Sequence, residues 1–499
     1  MRKLHVDWEK VAFSLVGIAV LVYAVSIALS LSNLETVFYT FPDTADTVAS
    51  VKVAGDYGLT GKVPQFQNGE YVMLGNFPPL FPFLGGILYK LLGDPLIAAE
   101  LLNLLVSLSI AYVLFFHSFK KLKPEVRLVL ILLLFIGEFT GQYFPFGFRM
   151  RANLAALFAV LLFTFLPGIL GTFVLLFLAF LSQPVFGAIF AGFYALRIIE
   201  KKRYKELAGP VLALVAALPF YYNLLPNLGL EPEYYGGLLA EFFPTLAITM
   251  AFVLPALLIL LKRKATFVTG ACILLMLIML INLTLFHITG KLESTMLYYV
   301  PIAKTDLWPS TLLYPALLVF LISYFRSANK IPKYAFLLLS LAVFINVLHV
   351  AGFVYEGATV DEHAVDVGDM ISSSGARNLI TFWAYVNKEG GVYPYHGDFI
   401  VSSYMFVKGT DVTFHGTTLP PMLNKGEAYV HMENLFTDVV RKGGRCTGEI
   451  EYLKGEGVDS ILFIIMGSNK SSISDEEYLV QCSLSLQANG TNWAFYLIE

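Results

Sequence analysis

The sequence predicts an α-helical polytopic membrane protein with about eleven transmembrane helices, followed by a C-terminal extracytoplasmic α/β domain. Its 499 residues are 57% hydrophobic and only 14% charged, with a mean hydropathy of +0.68, whereas soluble domains carry roughly a quarter charged residues. Apolar runs long enough to cross a hydrocarbon core of ~30 Å recur as far as residue 354. From Tyr355 onward the composition is that of a soluble domain. We therefore divide the chain into a membrane part, residues 1–354, and a C-terminal domain, residues 355–499.

The apolar runs and the basic residues between them predict the topology. Arg2, Lys3 and Lys10 precede the first run, which places the N-terminus in the cytoplasm and makes that run a retained signal anchor. When the loops alternate from there, every inward loop carries a basic cluster except the short turn at Pro167-Gly168. The C-terminal domain then lies outside the cell membrane. The predicted spans are approximately residues 11–32, 96–117, 126–144, 150–166, 168–182, 184–200, 207–226, 243–261, 266–288, 309–325 and 334–354.

Charge, cysteine content and motifs exclude several classes of function. The net charge of −3 gives no footprint for nucleic acid. Three cysteines are too few for a disulfide-rich scaffold. Cys446 and Cys482 both fall in the C-terminal domain and can pair if that domain faces an oxidising compartment. No HExxH, GxSxG, P-loop or dinucleotide-binding motif is present, which removes the common hydrolase and nucleotide-enzyme classes.

The first long polar stretch, Phe41–Gly93, is the strongest candidate for a functional site. Asp43 and Asp46 follow the first span directly, and the box Asn76-Phe77-Pro78-Pro79-Leu80 comes about thirty residues later. The apolar segment after the box, Phe81–Leu92, is too short to span a bilayer and is expected to lie at the interface or to re-enter. The first outer loop, residues 33–95, is therefore expected to hold a site that works on a lipid-borne substrate.

Ionisable and polar residues at the edges of the spans add further candidates. Glu138 lies in the predicted third span, where it is either catalytic or a structural partner of an arginine. Arg149 and Arg151 open the fourth span and form either a phosphate clamp or a pair that contacts lipid headgroups. Gln183 lies in a turn between spans, with a substrate contact as the alternative. His287 is either structural or a substrate contact; it begins an outward loop of about twenty residues that is long enough to cover a site.

The C-terminal domain is predicted to mix helices and strands. Asn489-Gly490 predicts a turn before the last strand. Its histidines show no metal-ligand spacing. The predicted helices are Ala376–Lys388 and Ala428–Lys442, and the predicted strands are Asp398–Val401, Asp411–Phe414, Ser460–Ile465 and Trp493–Ile498.

The first outer loop resembles that of the GT-C class of polytopic glycosyltransferases, which take sugars from polyprenyl-phosphate carriers. The matching features are the acidic segment Pro42-Asp43-Thr44-Ala45-Asp46, the helix and turn over Gly55–Gly61, and the box Asn76-Phe77-Pro78-Pro79-Leu80-Phe81, which looks like the (H/Y)PPL motif of such enzymes. The detailed match covers about residues 35–95. The chain lacks the WWDYG-type motif, so protein N-glycosylation of that type is not expected.

The resemblance implies a role for each candidate residue. Asp43 would be the base that activates the acceptor, with Asp46 beside it, while Asn76 and Pro78 would contact substrate. Arg149 and Arg151 would stabilise the leaving phosphate. A divalent metal, Mg or Mn, held by Asp43, Asp46 and Glu138 would do the same, and this choice stays open. A helix N-cap is the structural alternative for Asp43.

The expected function is transfer of a sugar from a polyprenyl- or dolichyl-phosphate carrier to a glycan, lipid or protein acceptor on the outer face of the membrane. The alternatives are a transporter or flippase for a lipid-linked or small polar solute, and a non-catalytic membrane scaffold. No internal repeat is visible in the sequence, which argues against a transporter built from two halves. The donor sugar, the acceptor, the stereochemical outcome and the oligomeric state are not specified by the sequence.

Overall fold

A computed structural model describes most of the chain. The described residues are 8–30, 42–65, 78–137, 142–143, 150–221, 233–289, 309–326, 328, 330–359, 364–386, 392–395, 399–415, 430–432, 434–436, 446–467, 482–490 and 493–498. Among these described residues, the membrane part contains thirteen α-helices. They are α1 (Trp8–Ser30), α2 (Pro42–Asp56), α3 (Leu80–Leu92), α4 (Pro95–Val113), α5 (Pro124–Phe135), α6 (Met150–Phe165), α7 (Ile169–Ser182), α8 (Pro184–Glu200), α9 (Ala208–Ala217), α10 (Glu233–Arg263), α11 (Phe267–Thr289), α12 (Pro309–Phe325) and α13 (Lys333–Thr359).

Each of the eleven predicted spans overlaps an α-helix over most or part of its length. Within the part of the chain that the structure describes, four stretches are both long and apolar enough to cross a membrane: Lys10–Leu29, Pro95–Ser118, Leu246–Arg263 and Lys333–Gly352. Shorter apolar helices follow among the described residues, at Leu80–Leu92, Met150–Phe165, Ile169–Ser182, Phe267–Asn282 and Leu312–Phe325. The protein is thus a mostly helical polytopic membrane protein with a small C-terminal sheet domain.

The third predicted span is wrong in its second half. Helix α5 has only 12 residues, so it is about 18 Å long and ends at Phe135. Two short antiparallel strands follow, β1 (Ile136–Gly137) and β2 (Gln142–Tyr143). Glycine at 137, and again at 141, disfavours continuation of the helix. In the sequence Glu138 falls between β1 and β2, outside the described residues, so its place stays a prediction.

Helix α6 is central to the helical domain and is apolar on nearly every side. Most of its side chains are buried, including Leu154, Val160 and Phe163, and it packs against α4, α7, α8 and α12. Two polar contacts set its alignment with α4. Asn153 Nδ2 donates to Asn103 Oδ1 at 3.0 Å near one end, and Ser118 and Thr164 share a hydrogen bond of 2.7 Å at the other end. Helices α4 and α6 therefore run parallel.

The C-terminal domain is built on a mixed sheet. Its elements are α14 (Ala364–Ser373), β3 (Asn378–Val386), β4 (Val392–Tyr395), α15 (Phe399–Lys408), β5 (Thr413–His415), α16 (Cys446–Gly455), β6 (Ser460–Gly467), β7 (Leu484–Asn489) and β8 (Trp493–Ile498). The strand order is β4-β3-β6-β8-β7, with β5 also paired to β3. Strand β3 runs parallel to β5 and β6, and the remaining pairs are antiparallel.

This sheet confirms the predicted strands at Asp411–Phe414, Ser460–Ile465 and Trp493–Ile498, and the turn at Asn489-Gly490. Two predictions are wrong. Ala376–Lys388 was expected to be a helix, but its centre is strand β3, whose side chains Leu379, Ile380 and Phe382 are fully buried. Asp398–Val401 was expected to be a strand, but it leads into helix α15, because burial of Val401, Tyr404 and Met405 follows the spacing of a helical face. Of Ala428–Lys442, the described residues 430–432 and 434–436 are helical.

A disulfide joins Cys446, at the start of α16, to Cys482, just before β7, with Cα atoms 5.4 Å apart. It anchors the helix to the edge of the sheet beside a buried cluster that includes Phe436 and Phe463. Cys272 is buried in α11 and is the free cysteine among the described residues.

Helix α2 belongs to two hydrophobic cores at once. Its Val48 and Val51 pack into the core of the helical domain, whereas Ala45, Ala49 and Val53 pack into the core of the C-terminal domain. The spacing of the alanines and Val53, four residues apart, places them along one face of the helix. Lys52 of α2 also contacts both domains. Its Nζ lies 5.7 Å from the ring centroid of Tyr89 in α3 and 5.7 Å from that of Phe406 in α15.

The chain after α2 continues this connection. Val63 is buried in the C-terminal domain's core, and the carbonyl oxygen of Gln65 accepts a hydrogen bond of 2.8 Å from the backbone N–H of Phe414 in β5. The first part of the outer loop is therefore structurally part of the C-terminal domain.

Glycines allow α3 to approach α2 closely. A Cβ added to Gly86 would lie 2.9 Å from the backbone nitrogen of Gly55 and 3.0 Å from the carbonyl carbon of Ala54. Backbone atoms cannot move aside as a flexible side chain does, so Gly86→Ala should force the helices apart. We expect a loss of about 1–3 kcal/mol in the free energy of unfolding, measured as a lower thermal midpoint in detergent.

Gly192→Ala in α8 is the matched control, since a Cβ there would meet nothing within 4 Å. We expect the midpoint of Gly192→Ala to be unchanged or slightly raised, because alanine favours the helix by roughly 0.5–1 kcal/mol over glycine. Equal midpoints for the two variants would contradict the close packing of α2 on α3.

Candidate active site at the junction of the two domains

An ion pair marks the place where α2 meets the helical domain. Arg151, in the first turn of α6, donates from Nη2 to Asp46 Oδ2 of α2 at 3.3 Å. The side chains of Arg151 and Asp46 are only 16% and 9% exposed. An ion pair this sheltered is screened less by water than a surface pair, so each charge depends strongly on the other. The structure therefore brings together two of the residues that the sequence singled out.

Asp43 lies in the first turn of the same helix, since α2 begins at Pro42. Residues three apart on a helix share a face, so the helical backbone places Asp43 on the side of α2 that carries Asp46. The side chain of Asp43 is not among those described. Its role as a base, or as a helix cap, stays a prediction.

The α6–α7 hairpin brings Gln183 back to the Arg151 end of the helical domain. Gln183 ends α7 and precedes α8 with an extended backbone; its N–H donates to Ala179 O at 3.0 Å, and its carbonyl accepts from Gly187 N at 2.9 Å. Gln183 is therefore the single residue that joins α7 to α8. Its side chain is half-buried, and contact with substrate stays a prediction.

Tyr221 lies near the same end and was not singled out from the sequence. Its hydroxyl donates to Phe180 O at 2.6 Å, and the residue is buried within electrostatic range of Arg151. Tyr221 therefore ties the stretch after α9 to the end of α7 beside the ion pair.

Several predicted site residues are not described. Asn76, Glu138 and Arg149 lie in segments outside the described ranges, as does the side chain of His287, at the end of α11. Pro78 is described and is buried immediately before α3. The structure therefore brings Asp46 and Arg151 together and leaves the remaining members of the predicted site as predictions.

Among the described residues, no group of three or more His, Cys, Asp or Glu side chains could hold a metal ion. Asp46, one of the three predicted ligands, instead has a guanidinium bound to its Oδ2. Metal binding by Asp43, Asp46 and Glu138 stays a prediction, because two of those side chains are outside the described set.

The pairing of Asp46 with Arg151 could not be read from the sequence. The sequence suggested Glu138 as the partner of an arginine, because both lie near the third and fourth spans. The partner that the structure describes, Asp46, is 105 residues away from Arg151 along the chain, and only the packing of α2 against α6 brings these two charges together. Pairing of Glu138 with an arginine stays a prediction. The sequence contained only a weak indication of the Asp46–Arg151 pair, because Asp46 follows the first predicted span and Arg151 begins the fourth, and both positions are predicted to lie on the outer side of the membrane.

The arrangement favours an anionic ligand beside a carboxylate. The N-terminus of α6 carries the positive end of the helix dipole, and Arg151 adds a full positive charge in its first turn. A phosphate at this position would meet both. Asp46, and Asp43 one turn earlier, are carboxylates on the helix that borders the same place and reaches the C-terminal domain.

No protein-family model matches the sequence, and no curated protein sequence matches it. Solved structures do match. ArnT from Cupriavidus metallidurans bound to undecaprenyl phosphate is 12% identical, with a TM-score of 0.50, covering 97% of this chain and 98% of that one. ArnT from the same organism in the apo state is also 12% identical, with a TM-score of 0.49, covering 95% of this chain and 98% of that one.

ArnT is a GT-C glycosyltransferase, and the likeness spans nearly the whole chain. The protein therefore has a GT-C-like fold, as the resemblance of its first outer loop implied. At 12% identity the likeness concerns the fold and does not by itself assign the reaction.

Proposed function

We propose that this protein is a membrane glycosyltransferase that moves a sugar from a polyprenyl-phosphate carrier to an acceptor. The observation that carries the proposal is the Asp46–Arg151 pair at the junction of α2, the helical domain and the C-terminal domain. It is supported by the GT-C-like fold, shared with a protein whose structure holds undecaprenyl phosphate. The acceptor and the donor sugar are not assigned.

The proposed reaction needs a base for the acceptor hydroxyl and a group that binds the leaving phosphate. Asp43 would take the proton from the acceptor hydroxyl as that oxygen bonds to the anomeric carbon. The bond from that carbon to the carrier's phosphate oxygen breaks, and the phosphate leaves with the electron pair. Arg151, with Arg149, would stabilise the charge that develops on the phosphate. Asp46 would hold Arg151 in place.

The test incubates the purified protein with a panel of undecaprenyl-phosphate hexoses and pentoses that carry a radiolabelled sugar. We expect at least one donor to be consumed, with polyprenyl phosphate and a water-soluble or transferred sugar as products. A flippase would bind a donor and leave its sugar bond intact. Binding of donors without cleavage of any of them, in the presence of cell-envelope acceptors, would contradict the proposal.

The Asp46–Arg151 pair predicts a specific pattern of stability. Asp46→Asn or Arg151→Gln removes the bond between these two sheltered charges and leaves the other charge in place, and each should cost about 2–3 kcal/mol of unfolding free energy. The double variant removes both charges and should cost clearly less than the sum of the single costs. Thermal unfolding in detergent measures all four proteins.

Donor binding tests whether the Asp46–Arg151 pair belongs to a phosphate-binding site or has only a structural role. We expect the double variant to recover stability yet bind a polyprenyl-phosphate donor about tenfold or more weakly, because a charge-assisted hydrogen bond contributes ~1.5–3 kcal/mol. Additive single costs would refute the coupling. Normal donor binding by the stabilised double variant would remove Arg151 from the phosphate site.

The proposed orientation places the N-terminus in the cytoplasm and the C-terminal domain outside the cell membrane. The basic loops support it, and the Cys446–Cys482 disulfide suits an oxidising compartment. Two exposed positions test it: Glu451 in α16 and Lys205 after α8. In intact cells a membrane-impermeant maleimide should label Glu451→Cys and should label Lys205→Cys only after permeabilisation. The reverse pattern would invert the topology.

A further inference from the structure

A second polar pocket lies at the other end of α6, far from the Asp46–Arg151 pair. It has a volume of about 280 Å³ and is walled mainly by His117, Ser118, Lys120, Lys121, Thr164 and Arg326. Thr164 is in the last turn of α6 and Arg151 in the first, and thirteen residues of helix separate them by about 20 Å. The pocket is therefore separate from the candidate active site.

Local structure holds the walls of this pocket in place. Helix α4 widens into a π-helical turn at Leu114–Ser118, a feature that is frequent at functional sites. The turn presents His117 and Ser118, and Ser118 bonds to Thr164 at 2.7 Å. Arg326 is fixed by donation from its Nη1 to Phe163 O at 3.1 Å, and Lys121 Nζ donates to Arg326 O at 3.4 Å.

The described lining of the pocket is positively charged. Lys120, Lys121 and Arg326 are cationic, and none of the described residues that line the pocket is acidic. Arg197 lies within electrostatic range of Arg326, and its buried Nη1 has no hydrogen-bond partner among the described residues. Burial, and then the charges of Arg197, Arg326 and Arg203, lower the pKa of Lys201, just beyond the end of α8.

Two carboxylates at this end of the helical domain have other partners. Glu200 accepts a hydrogen bond from the backbone N–H of Phe267 at 3.1 Å, and Glu206 pairs with Arg203. Clustered cations that repel one another are stabilised by a bound anion. The chemistry of the pocket walls, with ammonium, guanidinium, imidazole and hydroxyl groups, suits the oxygen atoms of a phosphate.

Exposed aromatic rings beside the pocket indicate where the rest of the ligand lies. Tyr112, Phe116 and Phe165 are 58%, 54% and 52% exposed. The ring of His117 lies 5.3 Å from that of Phe165 and 5.9 Å from that of Tyr112, between centroids. Apolar rings at the end of membrane helices suit the boundary between headgroups and acyl chains. A soluble phosphate would make no use of them.

We propose that this pocket binds the phosphate headgroup of an anionic phospholipid, with the acyl chains lying along Tyr112, Phe116 and Phe165. Basic pockets between membrane helices on the cytoplasmic side are suited to such headgroups, and the predicted topology places this end of the helical domain there. The site does not depend on the proposed glycosyltransferase activity.

The test compares lipid binding by native mass spectrometry of the full-length protein in detergent with added phosphatidylglycerol, phosphatidylcholine or inorganic phosphate. We expect phosphatidylglycerol to bind about tenfold or more tightly than phosphatidylcholine. The variant Lys120→Ala/Lys121→Ala should lose that preference. The control Lys205→Ala/Lys262→Ala removes the same charge from two exposed lysines at the same end and should keep it.

Three results would overturn the proposal. Equal binding of phosphatidylglycerol and phosphatidylcholine would show that the headgroup charge is not recognised. Equal losses in the test and control variants would show that general surface charge, not the pocket, attracts the lipid. Competition by inorganic phosphate at the lipid's own affinity would assign the pocket to a soluble phosphate. A thermal midpoint within a degree or two of wild type verifies that the variants are folded.

Discussion

Asp43→Asn should reduce sugar transfer by about 10²–10⁴-fold while the protein stays folded and binds its donor. Asparagine keeps the size of aspartate and much of its hydrogen bonding but cannot accept the acceptor's proton. If Asp43 only caps α2, asparagine replaces it without loss, since both residues cap helices equally well and even a complete loss of the cap costs only ~1 kcal/mol. The measurement is single-turnover transfer from a polyprenyl-phosphate sugar at saturating donor.

Asp46→Asn is the comparison that identifies the base. It should lower stability through the loss of its bond to Arg151, so its activity must be measured well below its thermal midpoint. A larger loss of transfer in folded Asp46→Asn than in Asp43→Asn would make Asp46 the base. Near-normal transfer by both variants would remove α2 from the chemistry altogether.

Loss of the Cys446–Cys482 disulfide should destabilise the C-terminal domain by about 4 kcal/mol. The bridge joins residues 36 apart in sequence, and closing a loop of that length lowers the entropy of the unfolded chain by an amount that corresponds to this free energy. The variant Cys446→Ser/Cys482→Ser should therefore show faster proteolysis of the C-terminal domain and a lower thermal midpoint.

Reduction provides the control for this prediction. Dithiothreitol should shift the midpoint of the wild-type protein toward that of the double variant and should leave the double variant unchanged. Cys272→Ala, in the helical domain, should respond to reductant as the wild type does. A double variant as stable as the wild type would show that the described bridge contributes nothing to the domain.

Elements that form long, continuous apolar runs were predictable from the sequence. The apolar runs gave the positions of the helices, because each run is long enough to leave few alternatives in a membrane. The strand at Ser460–Ile465 was predictable because it is a continuous apolar run bounded by turn residues. The GT-C-like fold was anticipated from residues 35–95 together with the order of the loops.

Short or mixed segments were not predictable. Asp398–Val401 reads as a strand on its own, and only the continuation through Tyr404 and Met405 shows the helical period of α15. Helix α5 ends at Phe135, inside an apolar run. Because hydropathy does not mark that end, the predicted span continued to residue 144. The Asp46–Arg151 pair depends on how α2 packs against α6, which no local pattern encodes.

Helix α2 limits how this protein can be divided for engineering. Consider a chimera in which the C-terminal domain is replaced by another at the boundary between residues 354 and 355. It would keep Ala45, Ala49, Val53 and Val63, which pack into the core of the original C-terminal domain. The transplanted domain would meet side chains shaped for a different partner, directly beside Asp46. An exchange that carries residues 42–65 along with 355–499 keeps that core intact, and it moves Asp43 and Asp46 together with the C-terminal domain.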